Sequence, residues 1–404
     1  MNRRFIICAL GISSPGSMGG NSKIALELIR TLARQYPVVV ITTADKLPTF
    51  EQNIALTGTV RICTVPKFDK NPMLHPLQEG LHYTRKIRPV LAEINANEND
   101  ILYSCSDFLL DVLPAFLNKP EFRFTWVPTL FLFVPFVVEN ILSRYQFPVL
   151  KYLIYYFWQR LIFQLIKTRG DLFVITNDCD KKQFPRRLQA RVFAFYGGVN
   201  SEQVRKACLS FSGCAKRYDA LFCSRLHPQK GISSLLNIWK VVAERCPGAR
   251  LGIIGNGDFR YETFLKDKAR RLGVDAAVDW LGYINNEEKY HLYQQARIFV
   301  HATVYDNNGM VATEALCSGL PVVLYDLPAL RHVYTQGCLK VPPNDQKAYA
   351  EAIVTLLTVP ATYLSVKPSP ETCEELLAEW DWPRRTEIFD AFMTTHRRWR
   401  GGHG

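Results

Sequence analysis

No Cys-x-x-Cys pair occurs in this sequence, and no histidine stands at a spacing that would complete a zinc site. The eleven cysteines are scattered singly from Cys8 to Cys373. Such an odd, patternless set suits a reducing compartment, where thiols act as small hydrophobes. Low-complexity tracts are missing, and 48% apolar with 21% charged residues describes an ordered globular chain. The formal charge of +12 is not accompanied by a helix-turn-helix, zinc-finger or RNA-recognition signature, so nucleic acid is not an expected partner. Basic excess of this kind also fits phosphorylated ligands or an anionic membrane surface. The opening NRRFIICALGI has the two arginines and short apolar run of a signal peptide but no good small-residue cleavage site. A strand, a loop and then an amphipathic helix from NSKIALELIRTLAR is the better reading, and a cytoplasmic location follows from it.

What is present is a rhythm. RFIICAL, VVVITTA, VRICTV, DILYSCS and DLFVITN alternate with helical patterns in the first half. DALFCSRL, ARLGIIG, VDWLGY, RIFVHAT and PVVLYD do so in the second, with helices near 231–245, 259–272 and 286–296. Strands separated by helices indicate parallel sheets covered on both faces, and 404 residues are too many for one ordinary core. The expected architecture is α/β: a Rossmann-like N-terminal domain over 1–205, completed by a terminal helix over about 383–404, and a second Rossmann-like domain over 215–375.

Residues 129–167 stand apart as strongly aromatic, with Arg144, Lys151, Arg160 and Lys167 among them. Pro135, Glu139, Lys151 and Arg160 break every window of about twenty apolar residues, so a spanning helix is not expected. A helix packed on the sheet and a surface dipping into the lipid interface both fit, and the basic flanks favour peripheral membrane contact.

Four places gather chemistry at the carboxyl ends of strands, where open α/β sheets bind ligands. In HATVYDNNGMVATEALCSG, residues 301–319, a loop carries Asp306 and a short helix carries Glu314. The helix start near Gly309 and Met310 turns free N–H groups and a positive dipole end toward a phosphate, and each carboxylate can accept from a pair of sugar hydroxyls. A turn-forming Asp306 and a solvated Glu314 are the plain alternatives. In FCSRLHPQKG, Arg225 and Lys230 suit a diphosphate, one as a fork and the other as a point charge. In LGIIGNGDF, Gly255 and Gly257 allow close backbone approach to a ligand, but Arg260 stands where G-x-G-x-x-G needs its third glycine, which argues against a nicotinamide dehydrogenase. In PGSMGGNSK, Gly16, Gly19 and Gly20 form a loop able to hinge or to meet an anion, or a plain connection. Asp178-Cys179-Asp180 is spaced like a metal-binding pair, yet its place after VITN makes helix capping the reading, and no metal is assigned.

Taken in order, these pieces resemble the retaining, nucleotide-sugar-dependent glycosyltransferases of the GT-B fold, family 4. DNNGMVATEALCSGLPVV is similar to that family's E-x7-E motif, SRLHPQKG to its G-R-L-x-x-x-K-G turn, and GGNSKIALEL to its N-terminal glycine loop. YGGVN and WDWPRRTEIF match the segments that close the first domain and cross back onto it. The resemblance implies two parallel sheets facing each other across a cleft and transfer of a hexose from a UDP- or GDP-sugar to a glycan or lipid-linked acceptor. It also implies no metal or other cofactor. Arg225 and Lys230 would neutralise the leaving diphosphate, and Asp306 would hold the donor sugar. Glu314 would bind the ribose, while Gly309 and Met310 would give backbone N–H groups. Gly19, Gly20, Gly255, Gly257, Asn307 and Asn308 would complete the donor site. The chain departs from the pattern in having Asp306 for Glu, Asn307-Asn308 for Gly-Phe, and no histidine in FTWVPTLFLF. A catalytically silent protein that binds nucleotide sugar or a partner is the alternative.

Overall fold

The computed structural model describes residues 3–13, 19–54, 58–71, 75–134, 149–211 and 213–397. Among these the chain forms two compact units, one of residues up to 134, 149–197 and 382–397, the other of residues 198–381.

The first unit holds seven strands: β1 Arg4–Cys8, β2 Val38–Thr43, β3 Val60–Val65, β4 Asp100–Ser104, β5 Thr125–Leu130, β6 Phe173–Ile175 and β7 Val192–Ala194. They pair in parallel in the order β3-β2-β1-β4-β5-β6-β7, with Phe5 opposite Val38 and Ile6 opposite Leu102. The second unit holds β8 Tyr218–Cys223, β9 Leu251–Ile254, β10 Val278–Gly282, β11 Ala296–His301, β12 Val322–Tyr325 and β13 Cys338–Val341. These are also parallel, in the order β10-β9-β8-β11-β12-β13. Strands such as VVVITT and LGII are buried along their whole length, as continuous apolar runs must be when helices cover both faces. The order reverses between β8 and β11, so the loops leaving these two strands diverge at a ligand-binding switch point.

β5, β7 and β13 are absent from the strand rhythm read in the sequence. Pro128 interrupts the β5 pattern at the place where the strand leaves β4, its partner over Thr125–Pro128, for β6, its partner over Thr129–Leu130. β7 and β13 have three and four residues, too few to show a period.

The chain passes between units at Gly197–Gly198 and Asp381–Trp382. The helix Ser201–Ser210 therefore lies wholly in the second unit, whereas the sequence reading put its first turn in the N-terminal domain. Its contacts explain the difference: Ser201 Oγ donates to the Leu377 carbonyl at 3.1 Å, and Arg205 pairs with Glu374 at 2.8 Å. The terminal helix Trp382–Arg397 packs in the first unit, where Asp390 accepts from Arg3 and from the Tyr36 hydroxyl at 2.8 Å, and Phe389 is fully buried against Tyr103 and Phe195. Residues 398–404 of the expected segment lie outside the described residues.

Of the aromatic stretch 129–167, residues 135–148 and the Lys151 side chain lie outside the described residues. The rest is mainly a helix, Val149–Arg169. Gln159, Ile162, Phe163 and Ile166 are buried, while Ile154, Phe157 and Leu161 are 50%, 67% and 52% exposed. Gln159 ties this helix to the sheet, donating to Asp107 at 2.7 Å and accepting from Val134 N–H at 2.8 Å. Among the described residues no single helix is long and apolar enough to cross a membrane.

Two buried carboxyls stand beyond β4. Burial pushes both Asp107 and Asp111 up to about 6, although Gln159 donates to the first and Ser106 to the second. Asp111 also accepts from the N–H groups of Leu10 and Gly11 at 2.9 and 3.1 Å, which fixes the start of the loop leaving β1.

Candidate functional site

The loop after β8 carries Arg225, which is exposed, then half-buried His227 and Lys230. Burial lowers His227 to about 4, helped by the neighbouring Arg225 and Lys230 cations. The neutral ring accepts from Gln229 N–H through Nδ1 at 3.3 Å, so this loop holds two permanent cations and no third. Gly231 follows at φ 72°, and a Cβ there would lie 1.9 Å from the Ala302 carbonyl oxygen. Glycine is thus what lets the β8 loop press on the β11 loop. Gln229 joins the same two loops, donating through Nε2 to the Tyr305 carbonyl at 2.6 Å and accepting from Val304 N–H at 3.1 Å.

Asp306 sits where these loops meet. Its Oδ2 lies 2.8 Å from Lys230 Nζ and 3.5 Å from His301 Nε2. Its Oδ1 accepts from the N–H groups of Asn307, Asn308 and Gly309 at 2.9, 3.2 and 3.3 Å. Burial alone would raise this carboxyl, but Lys230 and His301 outweigh it and hold Asp306 well below the usual carboxylate range. Three successive N–H groups converging on one oxygen form an anion nest, and the nest is filled from within. Gly309 N–H, one of the backbone groups expected at a ligand, is directed at Asp306 in this structure. Met310 is the first residue of the helix Met310–Cys317, whose start has no side-chain cap. Tyr334 braces the loop from the other side, its hydroxyl 2.9 and 2.8 Å from the carbonyl oxygens of Asn308 and Gly309 and 3.0 Å from Thr313 Oγ1.

Glu314, one turn into that helix, is buried, contrary to the solvated alternative. Its Oε2 lies 2.7 Å from Lys289 Nζ, and its Oε1 is 3.4 Å from the Tyr290 hydroxyl. Lys289 comes from the helix Asn286–Gln294 and is itself buried. Burial pushes this ammonium down, but the adjacent Glu314 carboxylate reverses the effect and leaves it above the usual lysine range.

Gly255 and Gly257 are required by the packing of the backbone around them. A Cβ on Gly255, at φ 134°, would lie 1.9 Å from the Ser224 carbonyl oxygen, and one on Gly257 2.2 Å from that of Leu226. They let the β9 loop lie against the β8 loop, with Leu226 and Gly257 bridged in parallel. The structure thus gathers Arg225, Lys230, Asp306, Asn307, Asn308, Gly309, Met310 and Glu314 around the ends of β8 and β11, with Gly255 and Gly257 as backing. Gly19 and Gly20 belong to the first unit, at the start of the helix Gly20–Leu32, and Gly19 N–H donates to Ser13 Oγ at 3.2 Å. Gly16 lies outside the described residues. Asn177 accepts from Cys179 N–H at 2.9 Å and Asp178 pairs with Lys181 at 3.0 Å, which is the capping arrangement.

Sequence reasoning missed Lys289, His301 and Tyr334. Lys289 sits among charged residues in NNEEKYH and reads as surface, while His301 reads only as the end of a strand. The one available signal was spacing: Lys289 lies on the same helix side as Tyr293, an i,i+4 pair.

Residues 214–369 match the family model described as glycosyl transferases group 1. An uncharacterised glycosyltransferase of Methanocaldococcus jannaschii is 38% identical over 113 residues, 28% of this chain and 28% of that one. The match therefore spans little more than a quarter of that relative's length. Among solved structures, sucrose-phosphate synthase from Thermosynechococcus elongatus has a TM-score of 0.78 at 17% identity, covering 98% of this chain and 99% of that one. Anabaena HepE in complex with UDP and glucose has a TM-score of 0.71 at 14% identity, covering 96% and 99%. At such identities these two likenesses speak for the fold.

Proposed function

We propose that this chain, a GT-B protein whose residues 214–369 form a group 1 glycosyl transferase domain, is a retaining glycosyltransferase that moves a hexose from a UDP- or GDP-sugar to a glycan or lipid-linked acceptor. The observation that carries the reading is the Lys230–Asp306 junction at the switch point, with Arg225 on the same loop as Lys230. Asp306 fixes Lys230 through one contact and leaves the ammonium's other donors for phosphate oxygens. Arg225 and Lys230 would then compensate the charge that develops on the leaving diphosphate as the sugar C1–oxygen bond breaks, in the part a metal plays elsewhere. The acceptor hydroxyl bonds to C1 from the same face, and its proton passes to the departing phosphate. The UDP complex of the structurally similar HepE supports a nucleotide-sugar donor.

The exposed Ile154, Phe157 and Leu161, flanked by Arg160 and Lys167, support peripheral contact with the cytoplasmic face of a membrane. This would suit a lipid-linked acceptor. The second reading, a binder without turnover, is favoured by Asp306, both of whose oxygens are occupied by the protein.

A thermal-shift and hydrolysis screen against UDP- and GDP-sugars, with Lys230→Ala and Glu314→Ala alongside, tests the reading. Stabilisation and slow sugar release by one donor, both lost in the variants, are expected. Binding of a donor without release, even with membrane extract added as acceptor, would establish the silent binder instead; no binding at all would overturn both.

A further inference from the structure

The Lys289–Glu314 pair has features that a plain structural ion pair does not need. Both side chains are less than a tenth exposed, and each comes from a different helix. Their surroundings are nearly uncharged: Cys223 from the end of β8, and Tyr290 and Tyr293 from the helix that carries Lys289. Among the described residues Lys289 is the one cation paired with Glu314. Two charges removed from water in this way gain little net stability over an apolar pair of equal size, so stability alone is a weak reason for them. The bonding is also lopsided. Lys289 takes Oε2 at 2.7 Å, whereas Oε1 has only a long 3.4 Å contact with the Tyr290 hydroxyl. A carboxylate held at one oxygen, with the other weakly engaged, is oriented to accept from a ligand hydroxyl.

We propose that Lys289 is a positioning residue for donor recognition: by gripping Oε2 it fixes the Glu314 carboxylate with Oε1 presented to a ribose hydroxyl of the nucleotide. The inference rests on the nucleotide-sugar reading above and adds to it the residue that makes the ribose contact selective. Without Lys289, the buried Glu314 would turn toward another partner, and the geometry that reads the sugar would be lost.

The test is binding of UDP and GDP, each against its 2′,3′-dideoxy form, to the full chain by calorimetry. The natural protein is expected to prefer the ribonucleotide about tenfold, the value of one hydrogen bond to a charged group. Lys289→Met is expected to bind both forms within about twofold of each other. Should that variant fail to fold, Lys289→Met with Glu314→Gln gives a neutral pair and is expected to melt near the natural protein while showing the same loss of preference. A tenfold preference surviving in either variant would overturn the inference and leave the pair structural. Equal binding of both forms by the natural protein would also overturn it, without touching the donor reading. Failure of the natural protein to bind either diphosphate would instead remove the donor reading on which it rests.

Discussion

Lys230 Nζ lies 2.8 Å from Asp306 Oδ2, joining two residues 76 positions apart. One contact thereby locks the loop leaving β8 to the loop leaving β11 and sets the cation beside the helix start at Met310. Both residues were candidates for ligand contact, and in this structure each is also the other's anchor.

The two ends of that contact are expected to respond differently to mutation. Lys230→Ala removes a phosphate-facing charge and leaves a largely buried carboxylate underpaired, so it should weaken UDP or GDP binding tenfold or more and cost about 3 kcal/mol of stability. Asp306→Asn keeps an oxygen for the three loop N–H groups and frees Lys230, so nucleoside diphosphate affinity should hold or rise while sugar transfer falls. Calorimetry with the diphosphate alone, beside a turnover assay with the sugar donor, separates them. Equal losses of diphosphate affinity in both would contradict the arrangement.

Two sets of carboxyls act on stability with opposite signs as pH changes. Asp306 is depressed in the folded state, so its contribution is complete above its unfolded value near 4 and is lost as pH falls through the lower folded value. Asp107 and Asp111 are raised to about 6, so the folded chain binds more protons than the unfolded one between roughly pH 4 and 6. Each should therefore cost stability above pH 6, by up to about 3 kcal/mol, and release that cost as pH falls toward 4. His227, lowered to about 4, acts the other way below its unfolded value near 6.5, so the natural protein's own profile is nearly flat and the comparison carries the test. The difference in melting temperature between Asp107→Asn and the natural protein is expected to shift in favour of the natural protein from pH 7.5 to 5.5, and a difference independent of pH would refute the assignment.

Gly255→Ala and Gly273→Ala form a controlled pair. Both positions have positive φ, but a Cβ on Gly273 meets nothing within 4 Å, whereas one on Gly255 meets the Ser224 carbonyl at 1.9 Å. Gly273→Ala should cost about 1 kcal/mol, the ordinary price of a left-handed alanine. Gly255→Ala should cost several times more and also weaken nucleotide binding, because the β8 loop must move. Denaturant melts with a diphosphate titration would show it, and similar effects at both sites would count against the packing argument.

Membrane contact is expected to depend on the exposed face of the helix Val149–Arg169. Replacing Ile154, Phe157 and Leu161 with serine should leave the melting temperature within a few degrees, since the three are half exposed or more. It should also abolish co-flotation with vesicles containing anionic lipid, which in the natural protein should weaken as salt is raised. Unchanged flotation of the triple variant would place the contact elsewhere, and no flotation of the natural protein at low salt would remove it.

Much of the architecture was legible because its signals are local. Continuous apolar strands such as VVVITT, helices with a one-sided apolar stripe, and Gly319 after MVATEALCS all follow from short-range periodicity and backbone preference. Where the local signal was weak the reading fell short. Pro128 masked β5, the brevity of β7 and β13 hid them, and the first turn of Ser201–Ser210 joined the other unit because Leu377 and Glu374 hold it there.

At the candidate site the sequence by itself determined which chemical groups gather at the strand ends: Arg225 and Lys230 after one strand, Asp306 and Glu314 after another. What those groups face was decided by tertiary structure alone. Spacing along a chain does not say that Asp306 turns its Oδ1 back onto three N–H groups of its own loop, nor that Lys289, written among glutamates, is carried inward to Glu314. The orientation of a charged side chain is fixed by the burial and partners that distant strands and helices bring to it, and in this protein those partners lie 25 and 76 positions away.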